Sequence, residues 1–137
     1  MLRRMLVAAL ALAWGVSPAL AERITIRVTF QNETSVAAKG KVDDANEDDD
    51  DDRLLTDVPA QAHVTAPDAY LDLNVFVTGA YYDVVLTRND QRSCAARYAV
   101  YDNSCSRTSL QNTGAVQCDS ASSWSGRTCG IAIKITP

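Results

Sequence analysis

The sequence predicts an all-β protein, a small antiparallel β-sandwich of immunoglobulin-like architecture held together by disulfides. Short apolar–polar alternations of period two recur about every ten residues, which is typical of sandwich strands. No stretch after residue 21 has the period of an amphipathic helix. Four cysteines lie in the last third of the chain, an even number that suits two disulfides in an exported protein.

Residues 1–21 have the three-part layout of a secretory signal peptide. Arg3-Arg4 forms a cationic start, a short uncharged apolar run follows, and Ala19-Leu20-Ala21 places small residues at the cleavage site. We expect cleavage before Glu22 and a single mature domain over residues 22–137, with no membrane anchor after cleavage. The alanine-rich leader favours a bacterial source, so the expected location is the periplasm or the cell exterior.

The first half of the mature domain is predicted to contain three strands. The alternating residues 24–30 predict a half-buried strand, followed by a turn at 32–35. Residues 36–42 predict the weak return strand of a hairpin at a sheet edge, because Gly40 and two lysines interrupt it. A short strand is expected around residues 63–65, between two prolines.

The second half is expected to contain four strands, over residues 71–77, 81–87, 95–101 and 131–135. In the first of these, alternation would turn Val75 and Val77 toward the core together with two leucines. The second contains three consecutive apolar residues, which predicts a central strand covered on both faces. Residues 119–126 are nearly all small and polar, and they predict a loop that carries Trp124.

The four cysteines, Cys94, Cys105, Cys118 and Cys129, allow three disulfide pairings. A local scheme, 94–105 with 118–129, is favoured because loop-forming residues interrupt both intervals. A nested scheme, 94–129 with 105–118, comes second, because a hairpin turning near residues 111–112 would set both pairs opposite each other. A zinc site is not expected, since the chain has no C-x-x-C pair.

Acidic charge is concentrated in one segment. Without the leader the domain has 11 basic and 17 acidic residues, and eight of the acids lie within residues 43–52. A chain of this sign has no electrostatic attraction to nucleic acid or to anionic membranes. Because packed like charges repel and have no apolar surface to bury, we expect residues 43–52 to form an extended, solvated loop.

Weak calcium binding is the alternative role for this acidic segment. Four carboxylates resemble the alternating ligands of an EF-hand loop: Asp44, Asp48, Asp50 and Asp52. Asp49 stands where the loop needs glycine, and Leu55 stands where it needs a bidentate glutamate. The sequence therefore predicts no caged metal site and no cofactor, and leaves low-affinity cation binding open.

No catalytic arrangement is visible in the sequence. His63 is the sole histidine, no G-x-S-x-G motif occurs, and aspartates in an open loop lack the cleft that glycoside hydrolysis needs. We therefore expect a non-enzymatic binding module that acts on another exported protein, as an inhibitor or accessory protein. The acidic loop and Trp124 are the predicted contact surfaces. Residues 32–34 also match an N-glycosylation sequon.

Overall fold

The computed structural model describes residues 22–45 and 55–137, which form a β-sandwich. Its strands are β1 (Glu22–Asn32), β2 (Ala38–Asp44), β3 (Thr56–Val58), β4 (Ala62–Thr65), β5 (Ala69–Leu73), β6 (Gly79–Arg88), β7 (Ser93–Tyr101), β8 (Ser104–Thr113), β9 (Gln117–Ser125) and β10 (Thr128–Thr136). Within these two ranges no helix is long and apolar enough to cross a membrane. The predicted signal peptide and most of the acidic segment lie outside the described residues.

The strands form two sheets that pack face to face. Sheet A has the order β4-β1-β10-β9, and β5 pairs with the part of β1 that β4 does not reach. Sheet B has the order β3-β2-β6-β7-β8. Neighbouring strands are antiparallel except β1 and β10, which pair in parallel at the centre of sheet A. The predicted all-β sandwich is confirmed, with one parallel pair that the hairpin pattern did not predict.

The core lies between the sheets and is built from the alternating apolar residues that predicted the strands. Sheet A contributes the inward side chains of its two central strands: Ile24, Ile26, Val28, Phe30, Ile131, Ile133 and Ile135. Sheet B contributes the facing side chains of β6 and β7: Tyr82, Val84, Leu86, Ala96, Tyr98 and Val100. Burying each large aliphatic side chain contributes roughly 1.5 to 3 kcal/mol, so these four strands supply most of the apolar stabilisation.

One polar contact crosses this core. The Tyr98 hydroxyl on β7 donates to Ser120 Oγ on β9, and Ser120 Oγ donates in turn to the carbonyl oxygen of Ala132 at 3.0 Å. Burial raises the pKa of Tyr98, so its hydroxyl keeps its proton and remains a donor. The hydrogen bond to Ser120 allows the Tyr98 hydroxyl to be buried, because a buried hydroxyl without a partner would cost about 1 to 3 kcal/mol.

The strand after β1 does not return beside it. The prediction of a hairpin edge strand over residues 36–42 is wrong, because β2 lies in sheet B between β3 and β6. Gly40 suits the position of β2 opposite sheet A, because a Cβ atom here would lie 2.5 Å from the ring of Phe30 on that sheet. The glycine that weakened the strand prediction is therefore what admits the facing aromatic ring.

Two other strand predictions need correction. The strand predicted over residues 71–77 ends at Leu73, and Val75 and Val77 are exposed instead of buried. β6 is central as predicted, but buried and more accessible residues alternate along it. Only one face of β6 is covered, because no described strand packs on the outer face of sheet B.

The loop predicted over residues 119–126 is also wrong. Residues 119–125 belong to β9, which is the edge strand of sheet A and pairs antiparallel with β10. Most of the small polar side chains of β9 are exposed, which suits an edge strand with little apolar surface to bury. Composition alone could not distinguish this strand from a loop.

Both disulfides join the two sheets. They follow the third possible pairing, so the favoured local scheme and the nested alternative are both wrong. Cys94 on β7 is bonded to Cys118 on β9, and Cys105 on β8 is bonded to Cys129 on β10. The Cα atoms are 5.5 Å apart in the first pair and 5.7 Å apart in the second. The chain crosses between the sheets at Gly114–Val116, so the hairpin β7–β8 stacks on the hairpin β9–β10.

Strand register explains why the local pairing is excluded. In the β7–β8 hairpin Cys105 lies opposite Val100, six residues along β7 from Cys94, a separation of about 20 Å in an extended strand. Cys118 and Cys129 are separated in the same way, because they lie at opposite ends of the β9–β10 hairpin. The nested scheme fails for the same reason, since it also joins opposite ends of the stacked hairpins.

Peptide mapping of the unreduced protein tests this pairing. We expect cross-linked peptides that contain Cys94 with Cys118 and Cys105 with Cys129, and no free thiol. Replacing Cys94 and Cys118 together by serine should lower the free energy of unfolding by about 3 kcal/mol, because the unfolded chain regains loop entropy. A peptide that links Cys94 to Cys105 would show that the stacked-hairpin register is incorrect.

Candidate functional site

The predicted metal ligands are only partly within the described residues. Asp44 is the last residue of β2, opposite Tyr82 on β6. Asp48, Asp50 and Asp52 lie outside the described residues. In the part of the chain that the structure describes, no three His, Cys, Asp or Glu side chains come close enough together to hold a metal ion. Weak calcium binding by the acidic segment therefore stays a prediction.

The sole histidine and the sequon asparagine both form hydrogen bonds near the end of β1. His63 Nε2 on β4 lies 2.6 Å from Oε1 of Glu33, which ties β4 to the turn after β1. The sequon residue Asn32 is fully buried. Its side-chain amide donates to the carbonyl oxygens of Val36 and Pro59, at 2.8 and 3.2 Å. This side chain joins β1 to the chain before β2 and after β3, and it is not accessible to a glycan.

Trp124 does not lie on a loop as the sequence predicted. It lies on β9, is partly buried and packs against the edge of the core. The guanidinium of Arg127 lies 5.9 Å from the centre of its ring. Trp124 therefore helps to close one end of the sandwich, and its placement gives no support to a binding role.

An exposed apolar surface lies elsewhere, at the end of the sandwich where β5 ends and β6 begins. We name it the apolar end patch and define it by five exposed residues: Val75, Phe76, Val77, Tyr81 and Tyr101. The side chain of Phe76 is 92% exposed and that of Val75 is 68% exposed. Sequence reasoning missed this surface because it assigned both valines to the core. The available signal was Phe76 itself, a large apolar residue on the face that alternation assigns to solvent.

Asn74 holds the turn that presents Phe76. Its Oδ1 accepts hydrogen bonds from the backbone N–H groups of Phe76 and Val77, at 2.7 and 3.0 Å. The backbone N–H of Asn74 donates to the carbonyl oxygen of Val77 at 2.9 Å. Asparagine commonly closes turns in this way, by substituting its side chain for a backbone acceptor. The exposed ring of Phe76 therefore stands on a closed turn.

Tyr81 and Tyr101 form the neighbouring part of the patch, on β6 and β7. A Cβ atom at Gly79 would collide with the ring of Tyr101, so only glycine at this position leaves room for the ring across β6. Interaction with the neighbouring Tyr81 side chain is the main cause that raises the pKa of Tyr101. The ring of Tyr101 therefore lies at Gly79, two residues after Val77 in the chain.

Arg127 forms ion pairs with two carboxylates at this end of the sandwich. Its Nη2 lies 2.8 Å from Oε2 of Glu22, and its Nη1 lies 2.9 Å from Oδ1 of Asp102. The hydrogen bond from Arg127 holds the pKa of Asp102 below its ordinary value. The first residue of β1 is thereby joined to the turn between β7 and β8.

A groove of about 870 Å³ crosses the outer face of sheet B. Small and aliphatic residues such as Val85 and Ala95 line it, together with longer charged side chains from β2, β6 and β7. The four cations that line the groove each form an ion pair with a nearby carboxylate, in the pairs Lys39–Asp57, Lys41–Asp43, Arg88–Asp90 and Arg97–Asp83. Among the described residues, each of these four cations therefore has a carboxylate partner.

Comparison of the chain with protein-family models, with curated proteins and with solved structures finds no match. The function therefore has to be inferred from the chemistry of the surfaces. Among the described residues, Phe76 combines the greatest exposure of a large apolar side chain with a hydrogen-bonded turn beneath it.

Replacing Arg127 by glutamine tests the charge cluster. The pKa of Asp102 should rise toward its ordinary value, 3.8, because its main hydrogen-bond donor is lost. Asp102 has a lower pKa folded than unfolded, so it stabilises the fold above the unfolded pKa, and this contribution is lost as the pH falls through the folded pKa. The variant should therefore lose less stability in acid. NMR titration measures the shift, with Asp68 beside Arg27 as the control, and an unchanged Asp102 would contradict the cluster.

Proposed function

We propose that this chain is a non-enzymatic binding module that acts outside the cytoplasm and binds another exported protein through the apolar end patch. The observation that carries the proposal is Phe76, which is 92% exposed on a turn closed by Asn74. Contiguous exposed apolar surface on a soluble domain marks interaction sites. An aromatic side chain held in place before binding is also a typical energetic anchor of a protein interface.

Export is supported by two independent features. The pair of disulfides is compatible with the periplasm or the extracellular space, where disulfides form and persist. Residues 1–21 have the composition of a cleaved secretory leader. We therefore place the working protein in the periplasm or outside the cell, as an inhibitor or accessory of its partner.

A non-enzymatic role is supported by the bonding of the side chains that catalysis would need. His63 is bonded to Glu33. The hydroxyl groups of Ser120 and Ser122 donate to backbone carbonyl oxygens, at 3.0 and 2.8 Å. A nucleophile and its base must lie within hydrogen-bond reach of each other, whereas His63 pairs with a carboxylate and the two serines with carbonyl oxygens.

Low-affinity calcium binding by residues 43–52 is the second candidate function, and the eight acids in that segment favour it. Calorimetric titration separates the two functions. Dense charge without the turn glycine and the bidentate ligand of a caged site should bind calcium no more tightly than about 0.1 mM. Submicromolar affinity would instead make calcium binding the principal function.

Replacing Phe76 by serine tests the proposal directly. The variant should lose the exported proteins that the immobilised mature domain retains from an envelope extract, because the aromatic anchor is removed. Its melting temperature should stay within about 2 °C of wild type, since surface substitutions rarely change stability by more than about 0.5 kcal/mol. Tyr70→Ser is the matched control, an aromatic residue that is 54% exposed outside the patch. Equal retention by wild type and the Phe76 variant would overturn the proposal.

A further inference from the structure

We propose that two copies of this domain associate through β8, whose outer edge pairs antiparallel with β8 of the second copy about a two-fold axis. This interface uses no residue of the apolar end patch, so the inference goes beyond the proposed function. It is carried by the open edge of β8, by the match between its two faces when it pairs with itself, and by the placement of its one charge.

β8 is an open edge of sheet B. It is the last strand in the sheet order, it has ten residues, and none of them is buried. Among the described strands only β7 pairs with it. Its sequence contains no proline, and Arg107 is its only charged residue. A long edge strand of this composition offers its outward backbone N–H and C=O groups to another chain.

The other described edges are better protected against pairing. β3 has only three residues and carries Asp57, while β4 and β5 have four and five residues and are separated by Pro67. The edge of β9 is contacted by β8, because Arg107 Nη1 donates to the carbonyl oxygen of Ser120 at 2.8 Å. Short strands, charges and prolines are the usual means of blocking edge pairing, so β8 is the most open of these edges.

An extra residue in β8 decides which side chains share a face. Arg97 on β7 lies opposite Ser109, and Tyr98 lies opposite Arg107, so Thr108 has no counterpart. Residues directly opposite each other in a sheet share a face. The β8 residues opposite buried side chains of β7 therefore lie on the core side: Cys105, Arg107, Leu110 and Asn112. The outer face carries Ser104, Ser106, Ser109, Gln111 and Thr113.

This arrangement makes β8 complementary to itself over its whole length. Complete antiparallel overlap about a two-fold axis sets Ser106 opposite Gln111 on the outer face, and Arg107 opposite Leu110 on the core side. Without the extra residue, the same overlap would set outer residues against core-side residues, because side chains alternate along a strand. A symmetric dimer interface requires this kind of self-complementarity, which favours a second copy as the occupant of the edge.

The charges and existing contacts of β8 are compatible with this pairing. The outer face of β8 is uncharged, and on the core side each Arg107 faces a leucine instead of a second arginine, so no like charges meet. Ser122 Oγ donates to the carbonyl oxygen of Cys105 at 2.8 Å. A backbone carbonyl oxygen has two lone pairs, so it can accept a further hydrogen bond from a partner strand.

Sedimentation equilibrium of the exported chain tests the association. We expect the apparent mass to rise from one domain toward two between about 1 and 500 µM, because one pair of strands buries less surface than a standard interface and forms a weak dimer. In a mixture of isotope-labelled and unlabelled protein, intermolecular NOEs should join Ser106 to Gln111. Phe76→Ser should dimerise as the wild type does, so the fate of the proposed function can be measured separately.

Charge variants test the register. Ser106→Lys with Gln111→Lys should weaken dimerisation about tenfold or more, because complete overlap sets lysine opposite lysine twice. Ser106→Glu with Gln111→Lys should restore it, since each lysine then faces a glutamate. Ser35→Lys with Ala60→Lys is the matched control, because it adds the same charge on exposed residues outside β8, and it should dimerise as the wild type does.

Four outcomes would overturn the inference. A chain that stays monomeric at the highest concentration has no such interface. A dimer that survives the two lysines on β8 but is lost in Phe76→Ser would place the contact at the apolar end patch. Loss of the dimer without rescue by the glutamate–lysine variant would contradict the register. Protection of β8 amides from hydrogen exchange only after an envelope extract is added would make a strand of another protein the occupant.

Discussion

The parallel pairing of β1 with β10 is the constraint on which the rest of the structure depends. It places the first and last strands of the domain side by side at the centre of sheet A. Their inward isoleucines form the sheet A side of the core. It also fixes the end of the sandwich where function is proposed. Because β5 pairs with the start of β1 and Arg127 precedes β10, this register brings Leu73, Glu22 and Arg127 to one end.

The disulfides hold the remaining sheet edges to this centre. Each joins a strand of the β7–β8 hairpin to a strand of the β9–β10 hairpin, and each closes a sequence separation of 24 residues. Bridges of this kind contribute about 2 to 4 kcal/mol each, a large share of the stability of a small domain. Ser122 and Arg107 add hydrogen bonds between β8 and β9 along the same side.

Sequence reasoning succeeded where one physical effect dominated. Strands with strict alternation and large apolar residues, such as β1 and β10, follow directly from burial of one face. β9 could not be recognised, because its small polar side chains fit an edge strand and a loop equally well. The disulfide pairing depends on the stacking of two hairpins, which leaves no local signal. The apolar end patch was missed because Asn74 interrupts an alternating run with a turn, and alternation alone would bury Val75 and Val77.

The central proposal is that the Asn74 turn holds Phe76 ready for a partner. The most direct measurement is therefore the affinity of Asn74→Ala for an exported protein that the immobilised wild-type domain retains and the Phe76→Ser variant does not. Asn74→Ala keeps the aromatic ring and removes the side-chain acceptor for two backbone N–H groups. We predict at least a tenfold loss of affinity with less than about 1 kcal/mol lost from folding stability, because ordering the turn must then be completed on binding. Wild-type affinity in this variant would contradict the account.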